Sequence, residues 1–572
     1  MPKINLKNLL LLIIIAFFNI LNQTFPFSRK PVKARKAMVV TVSSPATKVG
    51  LAILKKGGNA IDAAVAVGFA LEVTYPFAGN IGGGGFMVIH LKNGKNTTID
   101  FREKAPLKAS RNMYLDKNGN YIPSLSKEGA LAVGVPGSVA GLIYALKKYG
   151  TMSLSEVIQP AINLAKNGWV LDEHTINQIN RSLPKFERYP ESMKIFTRNG
   201  KPYNVGDIFK QPELARTLER IKEKGLAGFY SGKTAQLLLK ELNKYGGIIT
   251  QKDLDEYKPV ERKPVIGTYR GYKIVSMPPP SSGGIILVEM LNILENYNFK
   301  PNEWGSSSYY HKLVEAMKYA YADRSQFLGD PDFYNVPETG LISKQYAKKI
   351  FEKIGEKATP SSSIKPGNPF RFMEHRETTH YSVYDQYGNA VSITTTLNSA
   401  FGNKMVVEGA GFLLNNEMDD FSAKPGVPNQ FGLIGGEANS IQPGKRMLSS
   451  MTPTILLKNN KPFLVVGSPG GSTIITTVLQ VILNVIDFHM DIQTAVNMPR
   501  IHHQWLPDKI FYEKYAINND TAENLVTMGY RLADMHKSFR IIGIVEAILI
   551  DNQNHLIYGA NDPRGGGLAE GF

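Results

Sequence analysis

The stretch HRETTHYSV, His375 to Val383, sets two threonines and a histidine at the head of an alternating run. Threonine is favoured in strands, so the dipeptide alone reads as the start of a strand. The other reading is that one hydroxyl is a nucleophile. The segment before it, KATPSSSIKPGNPFRFMEHRE, has neither helical nor strand periodicity, and structureless loops of this length are as a rule functional or disordered. After it strands begin abruptly. Thr379 to Asp385 and Ala390 to Leu397 read as a hairpin around QYGN, Pro453 to Leu457 and Pro462 to Gly467 as a second around NNK, and Ile541 to Ile550 with His555 to Tyr558 as a third.

Upstream, Pro45 to Lys56 and Asn59 to Val73 read as two helices split by Gly57-Gly58, the second so rich in alanine that it should pack closely on a sheet. Ala78 to Leu91, AGNIGGGGFMVIHL, is a glycine-rich turn feeding a strand, and it lacks the GK[ST] of a phosphate loop. The middle third is mostly helical, with a capping box at Ser153 and Glu156 and amphipathic stretches at Gln211 to Lys224 and Ser306 to Phe327. Ser472 to Asp487 spaces its apolar residues as one buried helix face. Helices, then stacked strands, then helices again predict a layered sandwich.

With 572 residues, 43% hydrophobic and 20% charged, the chain can bury a large core. Its formal charge of +17 is spread among acids rather than gathered into an aromatic-studded groove, which argues against nucleic-acid binding. The absence of cysteine excludes disulfides, thiolate metal sites and cysteine nucleophiles, so the chemistry uses oxygen or nitrogen. Lys3, Lys7 and the apolar run Leu9 to Leu21 resemble an export signal. No A-x-A-like cleavage site follows, and five of the eight residues from Arg29 to Lys36 are basic, which resists translocation. A cleaved signal, giving a periplasmic or secreted protein, is the expectation; an uncleaved membrane anchor is the alternative.

A threonine hydroxyl is a poor nucleophile unless something takes its proton. A cut just before Thr378 would provide that base, because a new amino terminus has a pKa of roughly 7.7–8.0. Unprotonated near neutral pH, it reaches its own hydroxyl directly or through one water. The preceding segment would present the Glu377–Thr378 bond for self-cleavage.

Downstream and upstream of that bond, short motifs follow in one order: GGNAIDAAVAVGFALEV, GNIGGGGFMVIH, IDFREKAP, TTHYSV, TTTLNSAFG, LLNNEMDDFSAKPGVPN, SSMTPTI, GSPGGSTIITTVLQ, PRIHHQWLP and a terminal DPR. Together they make the chain resemble the gamma-glutamyltranspeptidases, of the N-terminal nucleophile hydrolase superfamily, over nearly its whole length after the leader. The resemblance implies an α/β fold, a four-layer alpha-beta-beta-alpha sandwich, made as one precursor that cuts itself between Glu377 and Thr378. Residues 1–28 would be the signal peptide, 29–377 a large subunit and 378–572 a small catalytic subunit, held together as a heterodimer. Thr378 would be the nucleophile, Thr396 its orienting partner, and the Gly470 and Gly471 N–H groups the oxyanion hole. Arg102, Ser449 and Ser450 would take the donor's α-carboxylate, and Asn398, Glu417 and Asp420 its α-ammonium. The donor would be glutathione or another gamma-glutamyl compound, and the acceptor water, an amino acid or a dipeptide. No metal or organic cofactor is implied.

The residue chemistry suits these roles. Arginine is a planar, permanently charged fork for a carboxylate. Carboxylates and an amide oxygen replace the water a cation loses. Glycines between a strand and a helix can aim N–H groups outward. Without the resemblance, Arg102 reads as an ion pair, Asn398 as a turn residue and Asp420 as a cap. The family does not use His380 as a base, which leaves it on the strand face, and His502-His503 lack the spacing of a metal pair and read as structural. Pro425 to Gly436 resembles a lid loop, with Phe431 where a tyrosine is common; a phenyl ring can shield the site but cannot donate to Asn398. Position 417 is Glu where some relatives carry Gln. Two rival readings remain: a beta-lactam or cephalosporin acylase of the same superfamily, and an unprocessed homologue acting as a surface binding protein.

Overall fold

The computed structural model describes residues 29–79, 81–369, 381–535 and 541–572. Glu377, Thr378 and His380, and the apolar leader, lie outside the described residues.

Two seven-stranded sheets form the centre. One runs in the spatial order β19 (Leu568–Gly571), β2 (Met38–Thr41), β10 (Ser382–Tyr384), β11 (Ala390–Thr396), β3 (Gly84–His90), β4 (Asn96–Phe101) and β7 (Val260–Arg262). The other runs β1 (Val32–Ala34), β18 (Leu556–Asn561), β17 (Glu546–Asp551), β13 (Lys461–Val466), β12 (Thr454–Lys458), β9 (Tyr272–Ser276) and β8 (Val265–Tyr269). All their neighbours pair antiparallel. Two small additions stand apart, β5 (Trp169–Val170) with β6 (Ile208–Phe209), and β14 (Ile501–His502), β15 (Ile510–Tyr512) and β16 (Leu532–Asp534).

The period-2 alternation of these strands builds the layers. Met38, Val40, Phe86 and Val88 point between the sheets, where they meet Val275, Ile455, Leu457, Val465 and Ile548 of the other sheet. Their sequence neighbours Val39, Met87 and Ile89 point outward into a core shared with the helices Ala60–Thr74 and Ser138–Tyr149. On the far side Leu456, Leu464 and Val466 pack against the helices Gly283–Leu294, Ser307–Phe327 and Ile474–Ile486. Helix, sheet, sheet, helix is the expected four-layer sandwich.

The helix Ala60–Thr74 is buried at every residue, which is why it is alanine-rich. Its capping box closes with the Asn59 side chain accepting from the N–H groups of Ile61 and Asp62, and Asp62 accepting from Asn59 N–H. The box at Ser153 and Glu156 also forms, opening the helix Leu154–Asn167. The glycine-rich tail, to which the sequence attached no role, supplies the edge strand β19, where a Cβ on Gly571 would stand 2.4 Å from Ala37 O.

The third hairpin is shorter than its sequence suggests, because β17 starts at Glu546 and not at Ile541. Side chains claim the backbone of the intervening residues. Ile542 N–H donates to Glu513, Ile544 N–H to Ser468 Oγ and Val545 N–H to Asp562, while Arg500 donates to the carbonyls of Ile542 and Gly543. Arg500 is buried and also donates to Asp562 Oδ2 at 2.6 Å, so the DPR aspartate anchors the turn that backs onto Gly470.

Removing one partner of a buried ion pair leaves the other charge uncompensated. Asp562→Ala is therefore expected to cost about 3–5 kcal/mol in urea unfolding. Asp562→Asn, which keeps acceptor capacity, should lose less. Equal stability of the alanine variant and the parent would contradict this role.

Candidate active site

A cavity of about 210 Å³ opens where strand ends from both sheets meet. Arg102 follows β4 directly, and its position is fixed by its N–H donating to Asp100 and by Tyr257 Oη donating to its carbonyl. The side chain is fully buried. Its Nε donates to Met447 O, its Nη1 to Glu417 Oε1, and its Nη2 to Asp420 Oδ2 at 2.6 Å, with Glu103 Oε2 3.7 Å from Nη1. Burial opposes this charge, but Glu417, Asp420 and Glu103 outweigh it and hold the guanidinium protonated beyond its ordinary range.

The carboxyls answer to the same balance. Burial raises Glu417 well above the usual carboxylate range despite Arg102, and pushes Asp420 up to about 6 and Glu103 up to about 8. Glu417 and Asp420 stand at the two ends of one short 3-10 turn, which is why both face the same guanidinium. Glu417 Oε2 has no hydrogen-bond partner among the described residues.

Thr396 ends β11, and its hydroxyl accepts from Asn398 N–H at 2.7 Å. Asn398 takes a left-handed backbone, φ 71°, and its side-chain nitrogen is committed to Asn416 O at 2.9 Å, so it offers a ligand its oxygen. On the opposite wall Ser449 is tied down by its N–H to Pro280 O and by its carbonyl, which accepts from Ser282. Gly470 and Gly471 take φ values of 142° and 60°, as a turn between β13 and a short 3-10 segment leading into Ile474–Ile486 requires. A Cβ on Gly471 would lie 2.6 Å from the Phe431 ring, so the phenyl of the predicted lid loop rests on the glycine turn. The loop is latched by Ser399 Oγ to Gln430, Gln430 N–H to Asp419, and Asn429 to Asp420.

All the described residues of the expected site, namely Arg102, Thr396, Asn398, Glu417, Asp420, Ser449, Ser450, Gly470 and Gly471, line this one cavity. His502 and His503 lie elsewhere, buried against Thr476, Gln504 and Trp505, with burial lowering both pKa values. One charged lining residue is absent from the sequence reading. Arg324 is 5% exposed and donates from Nη2 to Ser450 Oγ at 2.9 Å and from Nε to Ser282 Oγ at 2.8 Å, with burial pulling its guanidinium down to about 10. A signal was present: Leu313, Met317, Ala320 and Arg324 share one face of their helix, and a charge on an apolar face is anomalous.

The family described as Gamma-glutamyltranspeptidase matches residues 46–572. The chain is 51% identical to a glutathione hydrolase proenzyme of Escherichia coli (strain K12) over 539 residues, 93% of this chain and 91% of that one. Among solved structures it resembles a cephalosporin acylase from Bacillus halodurans, with TM-score 0.85 and 29% identity, covering 96% of this chain and 98% of that one. It also resembles a gamma-glutamyltranspeptidase of Helicobacter pylori, with TM-score 0.57 and 53% identity over 58% of this chain and 95% of that one.

The charge cluster predicts a pH-dependent cost. With Arg102→Met the three carboxyls lose their counter-ion, and their folded pKa values rise further above unfolded values of roughly 4. A group raised on folding contributes fully at acid pH and loses that contribution as pH climbs. The variant should therefore lie close to the parent near pH 4.5 and fall behind it by about 3–5 kcal/mol at pH 8 in urea unfolding. A deficit independent of pH would contradict the assignment.

Proposed function

The chain belongs to the gamma-glutamyltranspeptidase family, and from that premise we propose that it is a precursor cut between Glu377 and Thr378, whose Thr378 hydroxyl carries the gamma-glutamyl group between donor and acceptor. Its activity is that of the family: it hydrolyses glutathione and transfers gamma-glutamyl groups. Residues 29–377 become the large subunit and 378–572 the small one. Interleaved strands from both then hold the heterodimer together.

In maturation, Thr378 Oγ1 bonds to the Glu377 carbonyl carbon, the peptide C–N bond breaks, and the departing amine takes the hydroxyl proton. Water then hydrolyses the ester. In turnover the free amine, with a pKa of roughly 7.7–8.0, removes the hydroxyl proton as Oγ1 attacks the donor's γ-carbonyl carbon, and Thr396 orients that hydroxyl. The Gly470 and Gly471 N–H groups stabilise the oxyanion, each worth about 2.7–4 kcal/mol by analogy with other acyl-transfer enzymes. When the tetrahedral intermediate collapses, cysteinylglycine leaves with the proton. Water, an amino acid or a dipeptide then attacks the ester and restores Thr378.

The observation that carries this reading is a cavity with both signs of charge beside the Gly470–Gly471 turn. A gamma-glutamyl group is a zwitterion at its far end; Arg102 with Ser449 and Ser450 suits its carboxylate, and Asn398, Glu417 and Asp420 suit its ammonium. A glutaryl side chain, as in cephalosporin acylase chemistry, lacks the ammonium and would leave Glu417 Oε2, which Arg102 does not reach with a hydrogen bond, unanswered. Thr378 is three residues from Tyr381, a span of roughly 10 Å at most. Tyr381 shares a small cleft with Thr394, Thr395 and Pro469, which also line the cavity. The apolar leader is the proposed export signal for a periplasmic or secreted enzyme, with membrane contact only if it is retained. Among the described residues no helix is long and apolar enough to cross a membrane.

On a denaturing gel the active protein should run as two bands, and Thr378→Ala as one. Amino-terminal sequencing of the smaller band should read TTHYSV, and gamma-glutamyl-p-nitroanilide should be cleaved in preference to a glutaryl-cephalosporin. An active protein that stays a single chain would overturn the proposal.

A further inference from the structure

We propose that Arg324 is a positioning residue for the donor's negatively charged end: it turns the Ser450 hydroxyl proton toward the ligand and supplies a positive charge that no carboxylate of the described residues contacts directly. The inference rests on the gamma-glutamyl reading of the site and extends it to a residue outside that ligand set.

The hydrogen-bond polarity is the first argument. A guanidinium has five donors and no acceptor. Its 2.9 Å contact therefore makes Ser450 Oγ the acceptor and leaves the serine's own proton to donate elsewhere. The same logic fixes Ser282, which accepts from Arg324 Nε and donates to Ser449 O at 2.8 Å. One side chain thus aligns the backbone of Ser449 and the hydroxyl of Ser450. It does so from the helix Ser307–Phe327, whose Leu313, Val314, Met317 and Ala320 pack in the core.

Charge balance is the second argument. Arg102 faces Glu417, Asp420 and Glu103. Arg324 lines the same cavity, yet no carboxylate of the described residues lies within ion-pair distance of it. Asp420 acts on it only at longer range and burial still lowers its pKa, so a ligand carboxylate brought close to it would offset part of that burial cost. Arg324 thus adds a second positive charge, beside Arg102, at the end of the cavity that takes the donor's α-carboxylate.

The test uses Arg324→Gln and Arg324→Lys in the full-length protein, with gamma-glutamyl-p-nitroanilide as substrate and L-glutamate and 4-aminobutyrate as competitive inhibitors. A lost charge-assisted hydrogen bond corresponds to about a tenfold to hundredfold weakening. That change should appear in KM and in the L-glutamate Ki of Arg324→Gln, with kcat changed by less than about threefold. The Ki of 4-aminobutyrate, which keeps the ammonium and the γ-carboxylate but lacks the α-carboxylate, should be unchanged, and Arg324→Lys should recover part of the loss. If Arg324→Gln fails to mature, Arg324→Lys in parent and Ser450→Ala backgrounds carries the test, because its effect on KM should shrink when the hydroxyl is gone. A fall in kcat with KM unchanged, equal weakening of both inhibitors, or full additivity with Ser450→Ala would overturn the proposal. A parent protein that does not cleave gamma-glutamyl-p-nitroanilide at all would instead remove the functional reading beneath it.

Discussion

The pairing of β11 with β3 over seven residues, Ala390↔His90 to Thr396↔Gly84, is the contact on which the rest depends. It joins a strand that follows Thr378 to one that precedes it, and β10 is similarly inserted between β2 and β11. In the second sheet β12 pairs with β9, again across the same bond. Each sheet is therefore complete only when both portions of the chain contribute. A cut between them opens the backbone and leaves the ladders, and the apolar layer between the sheets, intact.

The same register delivers the site. Thr396 and Gly84 are the last pair of the β3–β11 ladder, and Arg102 follows β4, the neighbour of β3. The cavity thus forms at one end of three adjacent strands, and the Gly470–Gly471 turn after β13 closes it from the other sheet. Burial favours the neutral forms of Glu417 and Asp420, and Arg102 opposes that without cancelling it.

Much of this was legible in the sequence, for physical reasons. Alternation located β10 to β13, and alanine content marked the buried helix Ala60–Thr74. The order of the short motifs collected Arg102, Asn398, Glu417, Asp420 and the glycine pair, though nothing in their spacing says that Arg102 pairs with Glu417 and Asp420 across more than 300 residues. β17 starts later than periodicity predicts because Arg500, Glu513, Ser468 and Asp562 compete for the backbone before it. The role of Arg324 is hard to read from the sequence because its partners, Ser282 and Ser450, come from distant turns, and a long helix otherwise reads as core.

The central claim is that a chain end created inside a continuous fold becomes the group that carries the acyl unit. Mixing the enzyme briefly with a gamma-glutamyl donor, quenching in acid and weighing each chain by mass spectrometry tests it directly. The account predicts that only the chain beginning at Thr378 gains one gamma-glutamyl unit, and that fragmentation places it on that first residue. An adduct on any other residue, or none during active turnover, would contradict it.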